Sequence, residues 1–155
     1  MFNIDFIETP AFADEEFIEK LKTIPNIGKY VLHYLFEDMK MPPQDDDLWL
    51  EFGVFSGRTI NYFARFTEGK VYGFDSFKGL PEDWRPGFEK GAFSREHRRT
   101  WKIPKVLENI ELEVGLFDEN LDKFLEKHPD QKVGFVHIDS DLYSSAIYTL
   151  DKLAP

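Results

Sequence analysis

The chain has 155 residues, 42% of them hydrophobic and 31% charged, which fits one soluble globular domain with a single core and excludes wholesale disorder. No apolar run approaches the ~18 residues of a membrane-spanning helix, MFNIDFIETP lacks the basic start of a secretory signal, and the absence of cysteine excludes disulfides, zinc thiolates and thiol catalysis. A net charge of −10 disfavours nucleic acid and anionic membranes as partners, and a reducing, cytoplasmic setting is expected.

That charge is uneven. Residues 85–105 (RPGFEKGAFSREHRRTWKIPK) hold seven basic and two acidic residues, a local +5 on a body of −15. Arg95, Arg98, Arg99 and Lys102 in this run can hold an anionic acceptor; a solvated helix balancing nearby acidic surface explains them equally simply.

In chain order, Asp14 to Lys22 reads as a short helix capped by Asp14, with Phe17, Ile18 and Leu21 on one face. Ile27 to Met39 repeats the helical spacing through Tyr30, Val31, Tyr34 and Leu35, and Pro42 and Pro43 stop it. Residues 1–47 are therefore expected to form an N-terminal helical segment, and residues 48–155 the principal domain. The pattern then changes to short apolar runs separated by helical ones. Leu48 to Phe52 is a strand ending at Gly53, Thr59 to Phe66 is helical, and Lys70 to Phe74 is a strand ending at Asp75. After a long polar and aromatic stretch come a strand from Ile110 to Val114, an amphipathic helix from Asp118 to Lys127, a nearly all-apolar strand from Val133 to Ile138, and a helix from Ser144 to Leu153. Strands alternating with helices imply βαβ units and a mostly parallel sheet with helices on both faces. The apolar fourth strand suits a sheet covered on both sides. In such sheets ligands bind beyond the carboxyl ends of the strands.

Three strand ends carry chemically pointed residues. Glu51-Phe52-Gly53-Val54-Phe55-Ser56-Gly57 joins a strand to a helix, and its glycines permit a tight turn whose free N–H groups favour an anion. Its G-x-x-x-G spacing fails the dinucleotide fingerprint and suits a single carboxylate better; ordinary turn chemistry is the plainer explanation. Asp75, 22 residues after Gly53, is placed to accept hydrogen bonds from ribose hydroxyls, or else caps the turn at Ser76. The two features together point to an adenosine-type cofactor. Asp139-Ser140-Asp141 follows the fourth strand. Two neighbouring carboxylates invite a shared cation or proton, one ligating a hard metal such as Mg²⁺ while the other takes a proton; an acidic loop capping the next helix through Asp141 or Ser144 is the alternative. Phe117, after the third strand, is placed to stack on an adenine. His33, His97, His128 and His137 receive ordinary structural readings.

The segments Glu51-Phe-Gly-Val-Phe-Ser-Gly57, Asp75-Ser-Phe-Lys-Gly-Leu-Pro81, Gly115-Leu-Phe117 and Asp139-Ser-Asp-Leu-Tyr-Ser-Ser145 resemble the macrocin O-methyltransferase family, and Phe88-Glu-Lys-Gly-Ala-Phe-Ser94 is similar to its lid. The resemblance covers residues 48–155 and implies an α/β fold: a Rossmann-like class I methyltransferase three-layer sandwich, N-terminal helices then four mostly parallel strands in the order 3-2-1-4. It implies S-adenosylmethionine as cofactor, held by Glu51, Phe52, Gly53 and Gly57 at its methionine end, by Asp75 and Ser76 at the ribose, and by Phe117 at the adenine. It implies Asp139 as a Mg²⁺ ligand and Asp141 as the base that deprotonates a sugar hydroxyl. The implied function is O-methylation of a sugar or other small hydroxylated acceptor. A cofactor-binding module without turnover and a nicotinamide oxidoreductase are the rival readings.

Members of that family continue into a fifth strand ending in an acidic pair that completes the metal site. Here the sequence stops at Leu153-Ala154-Pro155, where that strand would begin. Three explanations are open: a truncated reading frame, a second subunit of a homo-oligomer covering the apolar edge, or a fold that ends differently from the family; truncation after the fourth strand, with an incomplete metal site, is the expectation.

Overall fold

A computed structural model describes residues 45–96 and 103–154, together with Leu32 and Phe36. The chain divides into two compact units, Met1–Met41 and Pro42–Pro155. Apart from Leu32 and Phe36, the helices expected over residues 14–22 and 27–39 lie outside the described residues, as do His33, His97, Arg98, Arg99 and Lys102.

The second unit runs β1 (Leu48–Phe52), α1 (Arg58–Phe63) with a 3-10 turn over Ala64–Phe66, β2 (Val71–Asp75), β3 (Ile110–Val114), α2 (Phe117–Lys127), β4 (Val133–Ile138) and α3 (Tyr143–Leu153). The four strands form one sheet in the order β3-β2-β1-β4, and every pair is parallel. This is the Rossmann-like arrangement expected from the sequence. Among the described residues between β2 and β3 the only β pairing is an isolated bridge between Arg85 and Phe88. Among the described residues no helix is long and apolar enough to cross a membrane.

Alternation along β1 builds two cores. Leu48, Leu50 and Phe52 join Tyr72 and Phe74 of β2 against Leu121 and Phe124 of α2 in one buried cluster. Phe52 stacks on Phe74 with ring centroids 4.7 Å apart, and Phe124 meets Phe74 edge-on at 5.2 Å. On the opposite face Trp49 packs on Phe63 of α1 and on Phe135 of β4. Gly73 in β2 is what lets α1 sit this close: a Cβ there would stand 2.6 Å from Ile60 Cδ1 and 2.7 Å from Val54 Cγ2.

β4 takes the edge position in the described sheet that the expected strand order implied, against the two-sided cover that its apolar run suited: Val133 and Gly134 are exposed and Phe135 to Ile138 only half-buried. Its position explains this: β4 ends the described sheet and pairs only with β1.

Candidate functional site

All four strands point their carboxyl ends at one cavity of about 510 Å³. β1 leads into Gly53, whose φ of +96° is a conformation glycine adopts freely. A Cβ on Gly53 would stand 2.5 Å from the backbone oxygen of Asp139, so the tips of β1 and β4 approach closely only because this residue has no side chain. The sheet ladder continues past the strands: the Asp139 N–H donates to Phe52 O at 2.8 Å, and the Gly53 N–H to Phe74 O at 2.9 Å.

Asp75, at the tip of β2, is the junction of the site. One carboxylate oxygen accepts the Phe55 N–H at 2.7 Å and the other accepts the Phe77 N–H, also at 2.7 Å. The turn cap that the sequence offered as the alternative to ribose binding is thus present, and the same side chain also lines the cavity wall. Each oxygen keeps a second lone pair for a ligand. Gly115 at the tip of β3 donates its N–H to Asp75 O at 3.1 Å. Phe117 opens α2, lines the cavity and meets Phe52 edge-on at 5.2 Å. The Leu116 N–H that precedes it is capped by the Glu119 carboxylate at 3.2 Å.

Asp139, Ser140 and Asp141 form the wall at the tip of β4. α3 begins after Leu142 with no side-chain cap, so neither Asp141 nor Ser144 is used in capping it. Ser144 instead donates to Glu82 Oε1 at 2.6 Å. The carboxyl of Asp141 is raised above its ordinary range, first by burial and then by the neighbouring charge of Asp139, with Arg85 pulling the other way.

Of the residues singled out in the sequence, Gly53, Asp75, Ser76, Phe117, Asp139 and Asp141 line this cavity. Glu51, Phe52 and Gly57 do not. Phe52 is a fully buried core ring. Gly57 precedes α1 in a left-handed conformation and packs toward Pro104 and Asn61. Glu51 is fully buried beneath the site, where its Oε1 pairs with His137 Nδ1 at 3.0 Å across the β1–β4 ladder. Its Oε2 has no hydrogen-bond partner among the described residues. Burial pushes the Glu51 carboxyl up to about 7 despite the histidine, and the same hydrogen bond raises His137. His137 is thus a hydrogen-bonded strand histidine, and His128 stacks on Phe124 with its Nδ1 2.6 Å from Gln131.

The structure also brings in residues that the sequence did not mark as site residues. Phe55, Phe77 and Phe93 all have positive φ, and all three line the cavity. A bulky residue in that region is strained, and such strain collects at functional sites. Phe55 and Phe93 meet edge-on, and Phe93 stacks on Phe88. Arg95, which the sequence did offer as one holder of an anionic acceptor, lines the same wall.

Among the described residues no group of three or more His, Asp or Glu side chains is placed to hold a metal ion, so the Mg²⁺ expected at Asp139 has no support from the side-chain arrangement.

A family described as a methyltransferase domain matches residues 50–155, more than half of the sequence. The chain belongs to the methyltransferase-domain family. That membership implies S-adenosylmethionine as methyl donor. No curated protein matches this methyltransferase domain. Among solved structures it is similar to the apo form of CalS11, a TDP-rhamnose 3'-O-methyltransferase of calicheamicin biosynthesis, with a TM-score of 0.51 and 21% identity. The match covers 98% of this chain and 63% of that one, so the domain spans less than two thirds of that enzyme's length. At that identity the likeness speaks for the shared fold.

Proposed function

We propose that this methyltransferase domain transfers a methyl group from S-adenosylmethionine to a hydroxyl of a sugar or other small hydroxylated molecule, and that its narrower kinship is with the macrocin O-methyltransferases. The observation that carries the reading is the convergence of four strand tips on one cavity, with Asp75, Phe117 and the Asp139–Asp141 pair all on its wall.

In this reading the turn at Gly53 receives the methionine end of the cofactor, Asp75 and Ser76 the ribose, and Phe117 the adenine face. Glu51, Phe52 and Gly57 act from behind by fixing the turn. S-adenosylmethionine supplies an electrophilic methyl, so the protein's task is to align the acceptor and remove its proton. Asp141 does the latter. Its raised pKa makes its carboxylate a better proton acceptor than an ordinary aspartate. The hydroxyl oxygen gains the methyl, and its proton passes to Asp141. Asp139 sustains the basicity of Asp141 through its charge. A homo-oligomer covering the outer edge of β4 belongs to the same proposal, with light scattering as its check.

Calorimetry with S-adenosylhomocysteine and with NADH tests the cleft, and a radiolabelled methyl-transfer assay over a panel of sugars tests turnover. The expected result is binding of the former nucleoside alone. Asp141→Asn is expected to lower kcat about 10²- to 10⁴-fold with unchanged affinity for S-adenosylhomocysteine. Binding of NADH instead would sink the reading, and binding without turnover over the whole panel would turn it toward a non-catalytic module.

A further inference from the structure

Among the described residues Arg95 is a charged side chain without a counter-ion. It is only 7% exposed. Among the same residues its Nε has no hydrogen-bond partner, and no carboxylate pairs with it. Burying an ionised group without a partner is costly, and buried arginines are nearly always paired. The segment is nonetheless tightly held. The Arg95 N–H donates to Phe77 O at 3.0 Å, and the guanidinium lies over the Phe55 ring, 5.3 Å from its centroid. Phe55 and Phe77 are the same two residues whose N–H groups are tied to Asp75. Arg95 is therefore fixed in the cavity wall by the elements that shape the cavity, and its charge is left for something inside. Every other charged group lining that cavity is acidic: Asp75, Glu82, Asp118, Asp139 and Asp141.

We propose that Arg95 is the anion-holding residue of this cavity, taking the oxygens of a carboxylate or phosphate group on the bound small molecule. A guanidinium offers a planar fork of donors that matches either group. Two sources can supply such an anion at the site assigned under the proposed function, on which this inference rests: the amino-acid carboxylate of the methyl donor, or an anionic substituent of the acceptor. Among the described residues the arginine has no partner, so its donors are available to a bound anion. Stability is given up there for binding.

The test compares the wild type with Arg95→Met, which keeps an apolar stem on Phe55, and Arg95→Lys, which keeps the charge. Titration calorimetry uses S-adenosylhomocysteine, methylthioadenosine (which lacks the amino-acid tail), and inorganic pyrophosphate added with and without saturating S-adenosylhomocysteine. If the cofactor tail is the anion, Arg95→Met weakens S-adenosylhomocysteine about tenfold or more, leaves methylthioadenosine unchanged, and Arg95→Lys recovers part of the loss. If the acceptor carries the anion, both nucleosides bind as in the wild type, and the variant loses pyrophosphate by about the same factor.

Affinities for all three probes within about twofold of wild type would overturn the proposal. Unliganded Arg95→Met is expected to melt at or above the wild-type temperature, because an unpaired buried charge has been removed. Failure to fold, or a much lower melting temperature, would mark Arg95 as structural and overturn it equally. If neither nucleoside binds the wild type, the proposed function fails. The Arg95 assignment is then decided by pyrophosphate alone: binding that Arg95→Met abolishes supports it, and no binding to the wild type ends it.

Discussion

β1 and β4 lie side by side and are both mostly apolar with one ionisable residue each, yet every residue of β1 is buried while β4 is half-covered at best. The difference is positional. β1 has a hydrogen-bonded neighbour on each side and cores on both faces; β4 has one neighbour in the described sheet. The polar residues follow the same division. Glu51 of β1 is sealed completely, and His137, its register partner in β4, stays partly accessible. Composition makes a segment a strand, whereas its rank in the sheet decides what each side chain experiences.

The sharpest way to break this comparison is at the point where the two tips meet. Gly53→Ala forces a Cβ against the Asp139 backbone at positive φ. The expected cost is about 3–5 kcal/mol in urea unfolding, strain and overlap combined, with loss of S-adenosylhomocysteine binding. A cost under 1 kcal/mol would mean the tips are not held together as described.

Next in size are Leu50→Ala and Val136→Ala, at positions paired across the β1–β4 ladder. The first empties a fully buried site and is expected to cost about 3 kcal/mol, the second only about 1. Equal costs would show that β4 is covered in solution, which the light-scattering measurement would register as association.

A smaller effect separates the two polar partners. Glu51 is raised from 4.5 to about 7, so between those values the folded state holds protons that the unfolded chain has released. Its contribution to stability is present in full below pH 4.5 and is lost as pH rises toward 7. His137, raised above 6.5, shifts the loss in the same direction at higher pH. The stability of Glu51→Gln relative to wild type should therefore rise by about 2 kcal/mol between pH 5 and pH 8, measured by denaturant titration. A flat or falling difference would contradict the burial of that carboxylate. Smallest of all, Val133→Lys at the exposed start of β4 should change stability by no more than about 0.5 kcal/mol.

The strands, the helices between them and the residues at the strand tips were legible in the sequence because each is a local pattern: an apolar run, a helical stripe, a glycine or aspartate at its end. Gly53, Asp75 and Asp139 could be named for that reason. What was not legible depends on contacts between distant residues. Glu51 and His137 are 86 positions apart, and nothing local says that the glutamate turns away from the cavity to meet the histidine. The exposure of β4 could not be read from VGFVHI itself and was reached only through the strand order that the family resemblance implied. The positive φ of Phe55, Phe77 and Phe93 is imposed by loop contacts against residue preference. Arg95 was named with Arg98, Arg99 and Lys102 as a holder of an anionic acceptor, but its burial depends on how residues 76–96 fold back over Phe55.

The closeness of Gly53 to Asp139 is set by main-chain ladder bonds and by the lack of a side chain, not by packing that can loosen or tighten. The gap between the glycine turn and the acidic pair is thus a constant of the framework. A chain built this way can exchange one guest molecule for another by rewriting residues 76–96, or those after Asp141, while the spacing between the two facing walls is inherited unchanged.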